Sequence, residues 1–356
     1  MIGTNVADAT KARPIDDWYR PDIPRKDLKE LMTRGDVKGL VDFGIWGVCL
    51  CVAGYAAYAS RGSYWAIPAF FLYGTIYSSC DARWHECAHG TPFRTRWLNE
   101  LLYRLVSLMN MKEGTFTRWS HTRHHTETIM VGLDPEIQVM RPADLKRVLL
   151  DFLWIPDAIQ MLRVMVVHAL GVPSKEARDF VPRSEWHNMF WWSRFYLLVY
   201  AGMIAWSVSV RNWLPVLFFP LARLYGGWLH QIFALTQHAG LAENVRDHRL
   251  NTRTVELSPV LRFLYCSMNY HIEHHMFPMV PFHALPKLHE RVQTDLPRTY
   301  TGLVDAYQEI IPVLLRQSRD ADYFVLRELP QAQATGPLVT ETAVPANATP
   351  QGASLV

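Results

Sequence analysis

Four long apolar stretches, separated by polar segments, give the chain its first legible pattern. Residues 39–60 carry a single charge, Asp42, and residues 64–80 carry none. Residues 195–210 are again uncharged, and residues 213–237 are interrupted only by Arg223. Each run approaches or meets the roughly 20 residues needed to cross a hydrocarbon core as a helix. Buried helices of a soluble protein are the alternative, which the number and length of the runs disfavour. Arg61-Gly62-Ser63 joins the first two runs and Arg211-Asn212 the last two, so both pairs read as hairpins turning on one side of a bilayer. The expected fold is all-α: an integral membrane protein with four transmembrane helices in two hairpins and a helical cap on the opposite side.

Charge orients this arrangement. The stretch before the first run carries Lys11, Arg13, Arg20, Arg25, Lys26, Lys29, Arg34 and Lys38, whereas each short turn carries one arginine. By the positive-inside rule the amino terminus and the cap are cytoplasmic. The expected domains are a cytoplasmic segment over residues 1–37, a membrane domain with its cap over 38–328, and a tail over 329–356. That tail is rich in Ala, Thr, Pro, Gln and Gly and is expected to be disordered. Residues 148–170 mix apolar positions with Asp151, Asp157 and Arg163, as in an amphipathic helix lying on a membrane. The aromatic group at 186–192 fits an interfacial belt. The amino terminus lacks a signal-peptide pattern, so the first span is expected to direct insertion. The five cysteines show no metal-site spacing and are expected as reduced thiols.

Three histidine clusters carry the candidate chemistry: His85 and His89 in HECAH, His121, His124 and His125 in HTRHH, and His271, His274 and His275 in HIEHH. HECAH alone is weak, because an i,i+4 histidine pair is often structural, and its His-Glu start resembles half of a zinc-protease signature. A zinc protease has no need of the other two clusters. On a helix, residues three or four apart share a face, so each cluster can converge on a cation that favours imidazole nitrogen. Eight histidines are too many for one ion, and a metal pair accounts for them better. The predicted topology also gathers all three clusters at the cytoplasmic face. His238 ends the fourth run at that same edge and is a ninth candidate. His230 is expected to be packed or hydrogen-bonded within the run, and His168, His187, His248, His283 and His289 to be solvated, interfacial or outside the metal's immediate ligands.

The pattern HxxxH, HxxHH, HxxHH, with four spans and NYHIEHHMFPMVPFHALPKLH at the third cluster, resembles the membrane-bound fatty acid desaturase and hydroxylase superfamily over roughly residues 18–315. Within it, WYRPDIPRKDLKELMTRGD, LDPE after the second cluster and NTRTV before the third are most similar to bacterial desaturases of the dihydrorhizobitoxine type, with carotenoid ketolases more distant. The resemblance implies a di-iron centre held by His85, His89, His121, His124, His125, His238, His271, His274 and His275, O2 as co-substrate, and a bacterial inner-membrane location. It also implies introduction of a C=C bond into an acyl or acyl-like chain. One departure stands out: acyl-CoA desaturases place an asparagine four residues before the extra histidine, and Ala234 stands there, with Asn269 as a candidate substitute through a water.

Carboxylates near the clusters, Asp81, Glu86, Glu127, Asp134 and Glu273, are candidates for orienting the imidazoles. Arg223, a costly charge inside a span, is a candidate for binding an anionic substrate head group. No dinucleotide fingerprint or clustered cysteines are visible, so electrons are expected from a separate ferredoxin or similar carrier docking on the basic cytoplasmic face. The expected partners are that donor, the bilayer and a lipid-like substrate, with no nucleic acid. A di-iron hydroxylase or monooxygenase acting on a lipid or a small amino-acid-derived substrate is the alternative enzyme. A metal transporter would place its ligands near the bilayer midplane, which the cluster positions do not.

Overall fold

A computed structural model describes residues 18–330. Lys11, Arg13 and nearly all of the expected tail lie outside the described residues. The architecture is helical, with one minimal parallel pairing of β1 (Val255–Glu256) and β2 (Tyr300–Thr301).

A short helix α1 (Arg25–Leu31) leads into α2 (Asp36–Ala59), whose 24 residues span about 36 Å at 1.5 Å per residue. Val37, Leu40, Val41, Ile45, Val48 and Val52 all project outward from it. The segment Arg25–Ala59 is the one candidate among the described residues that is long and apolar enough, by length and composition, to cross a membrane. The second apolar run forms α3 (Ala66–Ser78), followed after Ser79 by α4 (Cys80–His89). Gly90, in a left-handed conformation at φ 63°, ends α4 directly after its second histidine.

Two cap helices follow, α5 (Arg96–Met109) and α6 (Gly114–Thr126). The Glu113 carboxylate accepts from the Thr115 and Phe116 amides at 2.9 and 2.7 Å, which fixes where α6 starts. The expected amphipathic stretch is two helices, α7 (Leu145–Asp151) and α8 (Ile155–Ala169), broken at Trp154 with φ 54°. After α9 (Lys175–Phe180) comes α10 (Trp186–Ser209), which packs on α8 and presents Trp191, Phe195, Leu198, Ile204 and Trp206 outward.

The fourth apolar run departs from expectation. It is not one helix but three, α11 (Leu214–Phe218), α12 (Ala222–Gly226) and α13 (Trp228–His238). The first break has a local cause: proline disfavours the helical region for the residue before it, and Phe219, which precedes Pro220, is extended at φ −163° and ψ 125°. The remaining helices are α14 (His248–Asn251), α15 (Pro259–Leu264), α16 (His271–Met276), α17 (Leu285–Val292) and α18 (Leu303–Gln317).

One close approach seats the fourth run, which ends in His238, against the second. A Cβ on Gly226 would lie 1.9 Å from the Gly74 carbonyl oxygen, backbone against backbone. Rotamer changes cannot relieve that clash, so Gly226→Ala is expected to destabilise the protein by at least the roughly 1–3 kcal/mol of an overpacked core. Denaturant unfolding in detergent would read the loss; unchanged stability would mean that the two helices are not in backbone contact.

Candidate metal centre

The nine candidate histidines come from four separated helices and meet in two groups. His85, His89, His121, His125 and His274 form one, and His124, His238, His271 and His275 the other; within each, ligand-capable atoms lie within 4.8 Å of one another. Helical spacing explains the sorting. In α6, His121 and His125 sit one turn apart and serve the first group, while His124 turns to the second. In α16 the assignment inverts, with His271 and His275 in the second group and His274 in the first. The rings of His125 and His275 stack at 4.3 Å and join the two groups.

The nitrogen spacing matches that of ligands sharing one cation. His89 and His121 Nε2 are 3.0 Å apart, His125 and His121 Nε2 3.1 Å, and His274 and His125 Nε2 3.2 Å. In the second group, His271 Nε2 stands 3.1 Å from Nε2 of both His238 and His275. Two nitrogens bound at about 2.1 Å to one cation, at right angles, lie about 3.0 Å apart.

Tautomers follow from the outer partners. The His121 Nδ1–H donates to Glu136 at 3.0 Å and the His124 Nδ1–H to Asp134 at 2.8 Å. The His238 Nδ1–H donates to the Asn251 carbonyl at 2.8 Å. Thr128 spends its hydroxyl proton on the His124 carbonyl, so it accepts from His275 Nδ1–H at 3.1 Å. A neutral ring with its proton on Nδ1 has a lone pair on Nε2. In that form these four histidines direct Nε2 lone pairs inward, as the ligands of a cation must. Burial, reinforced by the crowded neighbouring imidazoles, holds His85, His89, His125, His271, His274 and His275 well below the usual histidine range, in the neutral form a metal needs. At His124 burial acts downward as well, but the facing Asp134 outweighs it and the net shift is upward. The residues thus fit two cations with imidazole-rich shells.

Of the carboxylates expected to orient the ligands, only Asp134 does so. Glu86 accepts instead from Thr91 Oγ1 at 2.8 Å and the Phe282 amide at 3.1 Å, and burial pushes its pKa up to about 7. Glu273 bonds His289 and Thr254, Glu127 lies 3.7 Å from Arg246, and Asp81 faces Lys112, Arg223 and His230. Sequence reasoning missed Glu136, although its place two residues after Asp134, in the acidic stretch following the second cluster, was a usable signal. Glu136→Gln is expected to weaken metal binding by roughly 10–100-fold, the usual cost of losing an outer partner. Competition with a chelator would measure it; unaltered affinity would remove Glu136 from the site.

Arg223 requires a correction. Its guanidinium is fully buried, bonded to the Ser78 carbonyl at 3.2 Å and to Asp81 at 3.4 Å, with its charge over the Trp154 ring at 4.9 Å. A guanidinium so buried and facing Asp81 is unsuited to a substrate head group. Asn269 donates to the Val255 carbonyl at 2.8 Å and leaves Oδ1 buried without a partner. His230 Nδ1 stands 3.3 Å from the Asp81 carboxylate, within the run. His168 is not solvated but fully buried between Phe116 and Phe190. His248 is buried too, stacked on Trp18 at 4.1 Å and standing 5.1 Å from the His275 ring.

Fold and site together define a helical protein built around two adjacent imidazole-lined cation sites. The chain belongs to the fatty acid desaturase family, whose pattern matches residues 38–307 and so takes in all nine histidines. It is 24% identical over 259 residues to the Delta(5) fatty acid desaturase fat-4 of Caenorhabditis elegans, covering 65% of this chain and 58% of that protein. It is also similar to an acyl-lipid (9-3)-desaturase of Physcomitrium patens, at 22% identity, covering 61% of this chain and 46% of the relative. A Delta(6) fatty acid desaturase of Caenorhabditis elegans, fat-3, is 22% identical, with coverage of 61% and 56%. The chain thus spans about half the length of the curated relatives it matches.

Proposed function

We propose that the protein is an O2-dependent oxidoreductase that introduces a C=C bond into an acyl or acyl-like chain. One observation carries this reading: two converging sets of imidazoles, five and four in number, all from histidines within the family match. Two iron ions held there, supplied with dioxygen and two electrons, would provide the oxidant that an unactivated C–H bond requires. His121, His124, His238 and His275 orient the ligand shells through their Nδ1–H bonds, and burial of the rings keeps bulk water from them. The electrons come from a separate ferredoxin-type carrier.

The outward apolar faces of α2 and α10 support seating in a bilayer. The four apolar runs form two hairpins in that membrane, a bacterial inner membrane in this reading, with the termini and the histidine site on the cytoplasmic side. The break between α11 and α12 is compatible with this, because irregular backbone at membrane depth is tolerated where it packs against protein, and Tyr73 donates its hydroxyl to the Phe218 carbonyl at 3.0 Å.

The test is the mass of the product formed by cells expressing the chain, with a His124→Ala variant as control. Loss of two hydrogens from an acyl chain is the expected result. Gain of one oxygen would replace desaturation with hydroxylation, and an unchanged lipid and metabolite profile would reject an acyl substrate.

A further inference from the structure

A cavity of about 740 Å³ lies beside the first histidine group and has His89 in its wall. Arg34, Arg94, Arg96 and Arg118 also line it, against a single acid, Glu100. That acid is already spent: it accepts from Arg104 at 2.7 Å and from Arg118 at 2.8 Å. The nearby Asp36 is spent as well, accepting from the Thr95 amide at 2.9 Å and the Thr95 hydroxyl at 2.6 Å. The side chains of Arg34, Arg94 and Arg96 make no hydrogen bond or ion pair with any described residue. Among the described residues, Arg34 and Arg96 are therefore left without an anion around one concavity, while Arg94 acts on the Asp36 carboxylate from beyond ion-pair distance. Arginine's planar fork matches the oxygens of carboxylate and phosphate and binds them in pairs.

We propose that this cavity binds the oxyanion head of the substrate, a carboxylate or phosphate group, on Arg34, Arg94 and Arg96, and so positions the attached chain beside His89. The assignment rests on the desaturase reading for the identity of the chain, but the anion site stands on the arginines alone. It also takes over the role that sequence reasoning gave to Arg223, for which that buried residue is unsuited. The position of His89 in the same wall favours a substrate head group over an electron carrier, because it sets the bound anion beside the histidine site.

The test is equilibrium binding to the purified full chain in detergent, with iron content measured in parallel. The probes are palmitate, palmitoyl-CoA, vesicles containing phosphatidylglycerol, and neutral methyl palmitate. At least one anionic probe is expected to bind about 10-fold or more tightly than methyl palmitate, with affinity falling as salt rises. Whether the free acid, the thioester or the vesicle binds best identifies the source of the head group. An Arg94→Ala/Arg96→Ala double variant should lose that preference, an Arg94→Lys/Arg96→Lys variant should recover part of it, and Arg61→Ala, in the distant turn, should keep it. Equal binding of charged and neutral probes, or a double variant that retains the preference, would overturn the proposal. Because binding needs no turnover, failure of the desaturase reading would appear separately, in the product masses.

Discussion

Replacing His121 with alanine is expected to abolish turnover and lower the iron content of the purified protein. His121 Nε2 stands next to Nε2 of both His89 and His125, and its other nitrogen is anchored by Glu136. Its removal takes away a ligand and also the point around which the first group is assembled. The loss in product should exceed the roughly 10–100-fold typical of an outer partner such as Glu136. Metal analysis beside product quantification would check this, with circular dichroism to establish that the helices persist. A folded variant with full iron and normal product would refute the dinuclear reading.

The largest effect on stability is expected at Asp81. This buried carboxylate holds Lys112 at 2.8 Å, His230 at 3.3 Å and Arg223 at 3.4 Å, drawing together the start of α4, the segment before α6, α12 and α13. Asp81→Ala leaves the fully buried Arg223 charged and unpaired, a change that costs about 3–5 kcal/mol. Lys112→Ala should cost much less, because Lys112 is partly exposed and its loss leaves Asp81 with two other partners. Unfolding both variants in mixed micelles would show the difference. Equal losses would mean that Asp81 is not the hub of this cluster.

How far the site was legible depends on the kind of signal. The convergence of the histidines was local: residues three and four apart on a helix share a face, so HxxxH and HxxHH announced it before any fold was known. His238 was singled out by its place at the end of the fourth run, although it meets His124, His271 and His275 rather than the first cluster. The outer partners were not, because Glu136, the Asn251 carbonyl and Thr128 reach their histidines through loop geometry that no periodicity encodes. Arg223 shows the opposite failure. The sequence revealed a charge in an apolar run but not its partner, which lies 142 positions away in Asp81. The helical class of the fold was legible, whereas the first division of the fourth run depended on Pro220, which average hydrophobicity hides.

The alternation of histidines along α6 and α16 has a consequence for how the protein matures. Each of these helices supplies both groups, His121 and His125 opposite His124 in one, His274 opposite His271 and His275 in the other. On the di-iron reading, filling either position would fix the rotation of both helices and so prepare the neighbouring position before its own ion arrives. Occupancy of the two is therefore linked in free energy, and linkage is reciprocal. Titrated with ferrous ion, the chain should pass from empty to doubly filled with little of the half-filled form along the way.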